Sequence, residues 1–184
     1  MTRILLADDD RVVLFTLAEG LREAGFAVIE ARDGLQALAL CHDEAPDLAL
    51  LDIRMPGLDG LELARRLRDE TAVPFLFFSA YGDEDFVRRA VKIGALGYLL
   101  KPLDVAAMVP TIRTALARAQ DLSGLQGALE SNRSIATAVG MLMQAEGLDR
   151  ATAFERLRLQ ARSERRKLED LAITMVESDR PKES

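Results

Sequence analysis

The chain has one cysteine, one histidine, no apolar run long enough to cross a membrane and no excess of positive charge. Each scarcity excludes something. With Cys41 alone no internal disulfide can form, and a reducing compartment is expected. With His42 the single histidine, the chain shows no nucleophile–base pair of the kind a hydrolase uses, so no turnover enzyme is expected. No segment approaches the roughly 20 apolar residues of a membrane helix. Met1-Thr-Arg leads straight into a strand-like run and not into a signal peptide. The net charge of −6 means that any nucleic-acid-binding surface must be local. A soluble, cytoplasmic protein is the expectation.

What is present is an alternation of strands and helices. A chain of 184 residues, 49% hydrophobic and 29% charged, is long enough for one good core and a smaller appendage. Leu48 to Leu51 is apolar throughout, the pattern of a strand buried on both faces of a parallel sheet, and it stops at Asp52. Ile4 to Ala7 is a similar run closed by Asp8, Asp9 and Asp10, and Phe26 to Ala31 is a further strand. Phe75 to Phe78 ends in Ser79, and a short fifth strand, Tyr98 to Leu100, ends in Lys101-Pro102. Between them, helical spacing joins Val13, Leu14, Leu17 and Leu21, then Leu35, Leu38 and Ala39, then Leu61, Leu63, Ala64 and Leu67. A weaker helix covers about Glu84 to Ile93. Five alternations predict an α/β sandwich around a parallel sheet, with right-handed crossovers.

Asp8, Asp9, Asp52, Ser79 and Lys101 all lie at the carboxyl ends of predicted strands, where an open α/β sheet places its ligands. Clustered carboxylates repel one another unless a cation neutralises them, and hard oxygen ligands suit Mg2+. A carboxylate held there can act as nucleophile toward a phosphoryl group. Asp8 and Asp9 are the candidate metal ligands and Asp52 the nucleophile. Lys101 supplies an ammonium and Ser79 a hydroxyl for the transferred oxygens. Asp10 reads as a helix cap, and Cys41 and His42 as bystanders with no complementary partner.

ADD at 7–9, LLDIRMPGLDG at 50–60, FFSA at 77–80 and GYLLKP at 97–102 resemble the receiver domain of two-component response regulators, over roughly residues 1–120. The resemblance implies a flavodoxin-like doubly wound five-stranded sheet of order 2-1-3-4-5. It further implies that Asp52 accepts phosphate from a sensor histidine kinase, and that the backbone carbonyl of Arg54 joins Asp8, Asp9 and Asp52 on Mg2+. A switch through Ser79 and Tyr98 and a cis Lys101-Pro102 bond are implied as well.

Beyond the receiver, Val105, Val109, Ile112, Leu116, Ala119, Leu122, Leu125 and Leu129 form a seam spaced by threes and fours. It predicts a long, coiled-coil-like connecting helix that packs against another helix. Gly124 and Gly127 mark a joint or kink, and the domain boundary is placed near Asp121, giving domains of 1–120 and 121–184. Three short helices are expected after Ser131, with interiors of Ile135, Val139, Leu142 and Met143, then Ala153, Phe154, Leu157 and Ala161, then Leu168, Leu171, Ala172, Met175 and Val176. Asp149 is placed to cap the second. So small a core is marginal alone, and a partner's helix would relieve it.

Residues 1–120 hold 14 basic and 19 acidic residues, and the tail 10 and 11. Within the tail the eight bases Arg133, Arg150, Arg156, Arg158, Arg162, Arg165, Arg166 and Lys167 face four acids, the local excess that phosphate contact requires. Arg133 and Ile135, AVGMLM at 138–143, Gly147-Leu148, Ala153-Phe154, Leu157-Arg158, Ala161 and Lys167-Leu168 resemble the ANTAR domain of transcription antitermination regulators. Val139 stands where that family usually has a lysine. The resemblance implies binding of paired hairpin loops in a nascent leader transcript, with Arg133, Arg158, Arg162, Arg165, Arg166 and Lys167 as candidate contacts. Phosphorylation of Asp52 is expected to release or reorient the tail and to favour a homodimer through the 105–129 seam. The rival reading is a phosphorylation-controlled protein-interaction module that sequesters another regulator.

Overall fold

The computed structural model of the chain describes residues 1–80, 84–102 and 104–178. Five strands, β1 (Arg3–Ala7), β2 (Ala27–Ala31), β3 (Leu48–Leu51), β4 (Phe75–Ser79) and β5 (Tyr98–Leu100), alternate with α1 (Arg11–Glu23), α2 (Gly34–Glu44), α3 (Gly60–Glu70) and α4 (Glu84–Ile93). The helices α5 (Val105–Glu146), α6 (Arg150–Ser163) and α7 (Leu168–Ser178) follow. The chain divides into two compact units, Met1–Gln120 and Asp121–Ser184.

In the first unit all strand pairs are parallel, in the order β2-β1-β3-β4-β5. β3 is fully buried, as an all-apolar run without a polar face must be. Alternation along the strands divides the core in two. Leu5, Ala7, Ala49, Leu51, Phe75 and Phe77 pack with α2, α3 and α4. Ile4, Leu6, Leu48, Leu50, Leu76 and Phe78 pack with α1 and with Met108, Ile112 and Ala115 of α5. Phe77 lies edge-to-face with Phe75 and Phe86, at ring separations of 5.7 and 5.5 Å.

Local chemistry sets the helix starts. Asp10, Asp33 and Asp59 cap α1, α2 and α3 by accepting from backbone N–H groups of the first turn. Asp10 is thus a cap, as its position predicts. On α2 the buried face is Ala37, Leu38 and Cys41, whereas Leu35 and Ala39 are exposed. Leu38 alone of the expected trio faces the core. His42 also departs from expectation, because its Nε2 lies 3.3 Å from the Glu70 carboxylate.

The second unit differs more from the sequence reading. α5 is one 42-residue helix that runs through Pro110, Gly124 and Gly127. The expected first helix of the tail is its C-terminal part and not a separate element. A Cβ built at either glycine meets nothing within 4 Å, so both stand on open helix surface. Their cost of about 1 kcal/mol each is a propensity penalty that a long helix absorbs. The helix stops at Gly147, which takes φ 66°, and Asp149 caps α6.

Among the described residues of this unit, eight are buried: Ala138, Val139, Leu142, Ala153, Leu157, Ala161, Leu171 and Ala172. Four are alanines, so the helices pack closely around a thin core. Phe154, expected inside, is 38% exposed and lies outside this cluster. The small Ala153 takes the inward position next to it. Leu122, Leu125 and Leu129 of the seam are 46, 64 and 70% exposed, whereas Ile112 is buried in the first unit.

Two glycines give opposite expectations. A Cβ on Gly60 would lie 2.1 Å from the Asp52 carbonyl oxygen. Gly60→Ala is therefore expected to destabilise the first unit by about 1–3 kcal/mol, while Gly124→Ala stabilises the chain by up to about 1 kcal/mol. Urea titration of both variants checks the signs.

Candidate functional site

Parallel pairing aligns Ala7 with Leu51, which sets Asp8 beside Asp52 just past the ends of β1 and β3. The backbone holds this register one residue further, since Asp8 N–H donates to Ala31 O at 3.1 Å and Asp52 N–H to Ala7 O at 2.9 Å. With β2 on one side of β1 and β3 on the other, this is the switch point of the sheet, where an open α/β fold leaves a crevice.

Lys101 joins the two acids. Its Nζ donates to Asp8 Oδ2 at 2.6 Å and to Asp52 Oδ1 at 3.0 Å. The stem is positioned by Lys101 N–H donating to Ser79 O at 2.8 Å, and the ammonium stands 4.6 Å from the centroid of the Phe78 ring. The Lys101-Pro102 bond is cis. The other carboxylate oxygens have backbone donors, Asp10 N–H to Asp8 Oδ1 at 2.8 Å and Arg54 N–H to Asp52 Oδ2 at 3.1 Å. Each oxygen keeps a further lone pair.

Asp8 and Asp52 are 1% and 6% exposed, while Asp9 faces solvent. One oxygen of each of the three carboxylates lies within 4.8 Å of the others. Three carboxylates and one ammonium leave a net charge of −2. An all-oxygen donor set, open to water on the Asp9 side and short by two positive charges, fits a hard divalent cation. Burial pushes the Asp52 carboxyl above its ordinary range, with Asp8 adding to the rise and Lys101 opposing it. Burial lowers Lys101, but its two carboxylate partners outweigh that, so the ammonium is held above its ordinary value.

Ser79 is buried at the end of β4, and Tyr98 is half-buried on β5 with its hydroxyl out of solvent and its ring tilted against Phe86 at 5.6 Å. Sequence reasoning missed the ring under Lys101. A phenylalanine in an all-apolar strand carries no sign of which sheet face it serves. It also missed Gly60, although Asp59-Gly60 is the loop-to-helix signal that would have found it.

The candidate bases of the tail separate into paired and unpaired groups. Arg158 pairs with Glu155 at 2.9 Å, and Lys167 with Glu169 at 3.6 Å. Arg166 donates to Asp170 O at 2.9 Å and Thr174 Oγ1 at 2.6 Å, fastening the α6–α7 turn to α7. That turn carries Arg165 at φ 54°. Arg133, Arg162 and Arg165 are exposed and make no ion pair among the described residues. Val139 is buried in the core, so this position presents no group to a ligand.

A raised carboxyl pKa means that the folded state favours protonated Asp52, so its ionisation costs stability as pH rises through that pKa. Asp52→Asn is expected to melt a few degrees above the wild-type chain at pH 7. The gap closes as pH falls into the carboxylate range, and calorimetry across pH 4–7 measures it.

The family model of the response regulator receiver domain matches residues 4–113, and that of the ANTAR domain matches residues 123–176. The transcriptional regulatory protein PdtaR of Mycobacterium tuberculosis is 30% identical, covering 96% of this chain and 90% of that protein. The sporulation initiation phosphotransferase F of Bacillus subtilis is 36% identical over 56% of this chain and 84% of its own length. Among solved structures, a CheY-like receiver domain from Methanospirillum hungatei superposes with a TM-score of 0.62 at 25% identity, covering 66% of this chain and 98% of that one. No helix among the described residues is long and apolar enough to cross a membrane. With both family models matched in order along the chain, and a relative spanning nearly all of it, the chain belongs to the phosphorylation-controlled response regulators, with an N-terminal receiver domain and a C-terminal ANTAR domain.

Proposed function

We propose that Asp52 takes a phosphoryl group from a sensor histidine kinase, and that the ANTAR unit then binds hairpins in a nascent transcript to keep a terminator from forming. The observation that carries the first half is the Lys101 ammonium bonded at once to Asp8 and Asp52, with Asp9 alongside. An oxygen of ionised Asp52 attacks the phosphorus of a phosphohistidine. The O–P bond forms as the P–N bond breaks, and the imidazole leaves with the electron pair. Asp8, Asp9, Asp52 and the Arg54 carbonyl would hold Mg2+, which when bound neutralises charge on the transferred oxygens. Lys101 exchanges its Asp52 contact for a phosphoryl oxygen, and the Ser79 hydroxyl donates to another. Tyr98, already turned inward against Phe86, follows Ser79 in the switch. This self-phosphorylation, and the hydrolysis by which water displaces the Asp52 carboxylate from phosphorus, are the extent of the chemistry, and the setting is the cytoplasm.

The RNA half draws support from the ANTAR match and from the exposed arginines of the second unit, among them Arg133, Arg162 and Arg165. Leu122, Leu125 and Leu129 give α5 an exposed apolar stripe suited to a second copy. Pairing two ANTAR units holds two hairpins at high effective concentration without tighter individual sites.

An acyl-phosphate donor with Mg2+ is expected to phosphorylate the wild-type chain, drive it to a dimer and raise its affinity for leader hairpins, with none of these in Asp52→Asn. Equal hairpin affinity and equal mass in solution before and after treatment would show that phosphorylation does not control this output. Leu125→Asp should keep phosphorylation and lose the dimer, which light scattering reads directly.

A further inference from the structure

Arg150, Phe154, Arg158 and Arg162 follow one another at intervals of four along α6, and all four are exposed. Four residues advance an α-helix by about 6 Å and one turn plus about 40°, so these side chains form one inclined stripe roughly 18 Å long that winds about 120° round the helix. Phe154 is the sole aromatic residue after Gln120, and it is left out of a core built from its neighbours Ala153, Leu157 and Ala161. A ring with more than a third of its surface in solvent, standing between arginines, has two complementary neighbours in a nucleic acid: a base face for the ring and phosphates for the guanidinium groups. The Arg158–Glu155 pair does not block this use, because exposed ion pairs of this kind are worth little and yield to a phosphate.

We infer that the α6 stripe is the surface that reads an unpaired loop nucleotide, its base stacked on Phe154 and the flanking phosphates held by Arg150, Arg158 and Arg162. This rests on the RNA reading above and adds to it the face of the protein and the residue that does the reading. A duplex offers only backbone and groove to such a stripe, since its bases are stacked on one another. A single-stranded loop exposes a base face, and an aromatic side chain accepts it with little regard for sequence. The stripe therefore selects unpaired loop over stem, while finer sequence choice lies with other contacts.

The probe is an RNA hairpin library with a fixed stem and a randomised single-stranded loop, enriched on the full-length wild-type chain treated with acyl phosphate and Mg2+. On the enriched hairpin, Phe154→Leu is expected to weaken binding roughly 5- to 150-fold, with an unchanged slope of affinity against salt. Phe154→Tyr, which keeps the ring, binds within about twofold of wild type, and Arg162→Gln flattens the salt slope by about 0.7. Circular dichroism confirms equal helicity for each variant. An abasic site at the stacked loop position reproduces the Phe154→Leu loss in the wild-type chain and adds nothing in that variant. Hairpins bound equally by wild type and Phe154→Leu overturn the stacking inference and leave the RNA reading intact. An equal loss in Phe154→Tyr overturns it too, by assigning the residue to packing. A library from which the wild-type chain enriches nothing overturns both readings together.

Discussion

Asp8 and Asp52 stand side by side because parallel pairing of β1 with β3 leaves them no alternative, and two buried carboxylates at that spacing are tolerated only with Lys101 between them. The first unit serves this arrangement. β1 and β3 are buried on both faces, so a slip by one residue would draw Asp8 or Asp52 into the apolar interior of the sheet. β4 and β5 deliver Ser79 and Lys101 to the same edge, and the Lys101 N–H to Ser79 O bond locks the last pair. The cluster still falls two positive charges short of neutrality. That deficit makes the site receptive to a divalent cation, while burial, with a smaller contribution from Asp8, holds the nucleophilic carboxylate above its ordinary pKa.

Much of this was legible in the sequence, because strands buried on both faces are apolar runs with sharp ends. Where such a run stops at Asp52 or Lys101, the stopping residue has to lie at the crevice; the alternation predicts the parallel sheet, while its strand order was legible only through the resemblance to receiver domains. Helix faces were less legible. α2 is apolar almost all round, so spacing alone could not show that Ala37 and Cys41 face the sheet while Leu35 faces water. Contacts that depend on the third dimension were invisible, such as the Phe78 ring under Lys101 and the Glu70 partner of His42.

In the helical unit, the reading erred where it equated apolar with buried. The core closes around Ala138, Ala153, Ala161 and Ala172, and Phe154 is left 38% exposed beside it. Gly124 and Gly127 suggested a break, yet helix propensity is a weak prior, and nothing near either residue forces the chain to turn. Val139 shows the opposite gain. A position read from resemblance as a missing basic contact is a core residue here, so the burden of meeting an anionic partner falls on the exposed arginines.

Cys41 is 2% exposed on α2, and burial pushes its thiol up to about 12. Only the thiolate reacts with maleimides and disulfides, and at neutral pH that form amounts to on the order of 10⁻⁵ of the population. The native chain is therefore silent toward thiol reagents. A cysteine introduced on the solvent face of either unit would carry a fluorophore or spin label as a single defined site, without first removing the natural one.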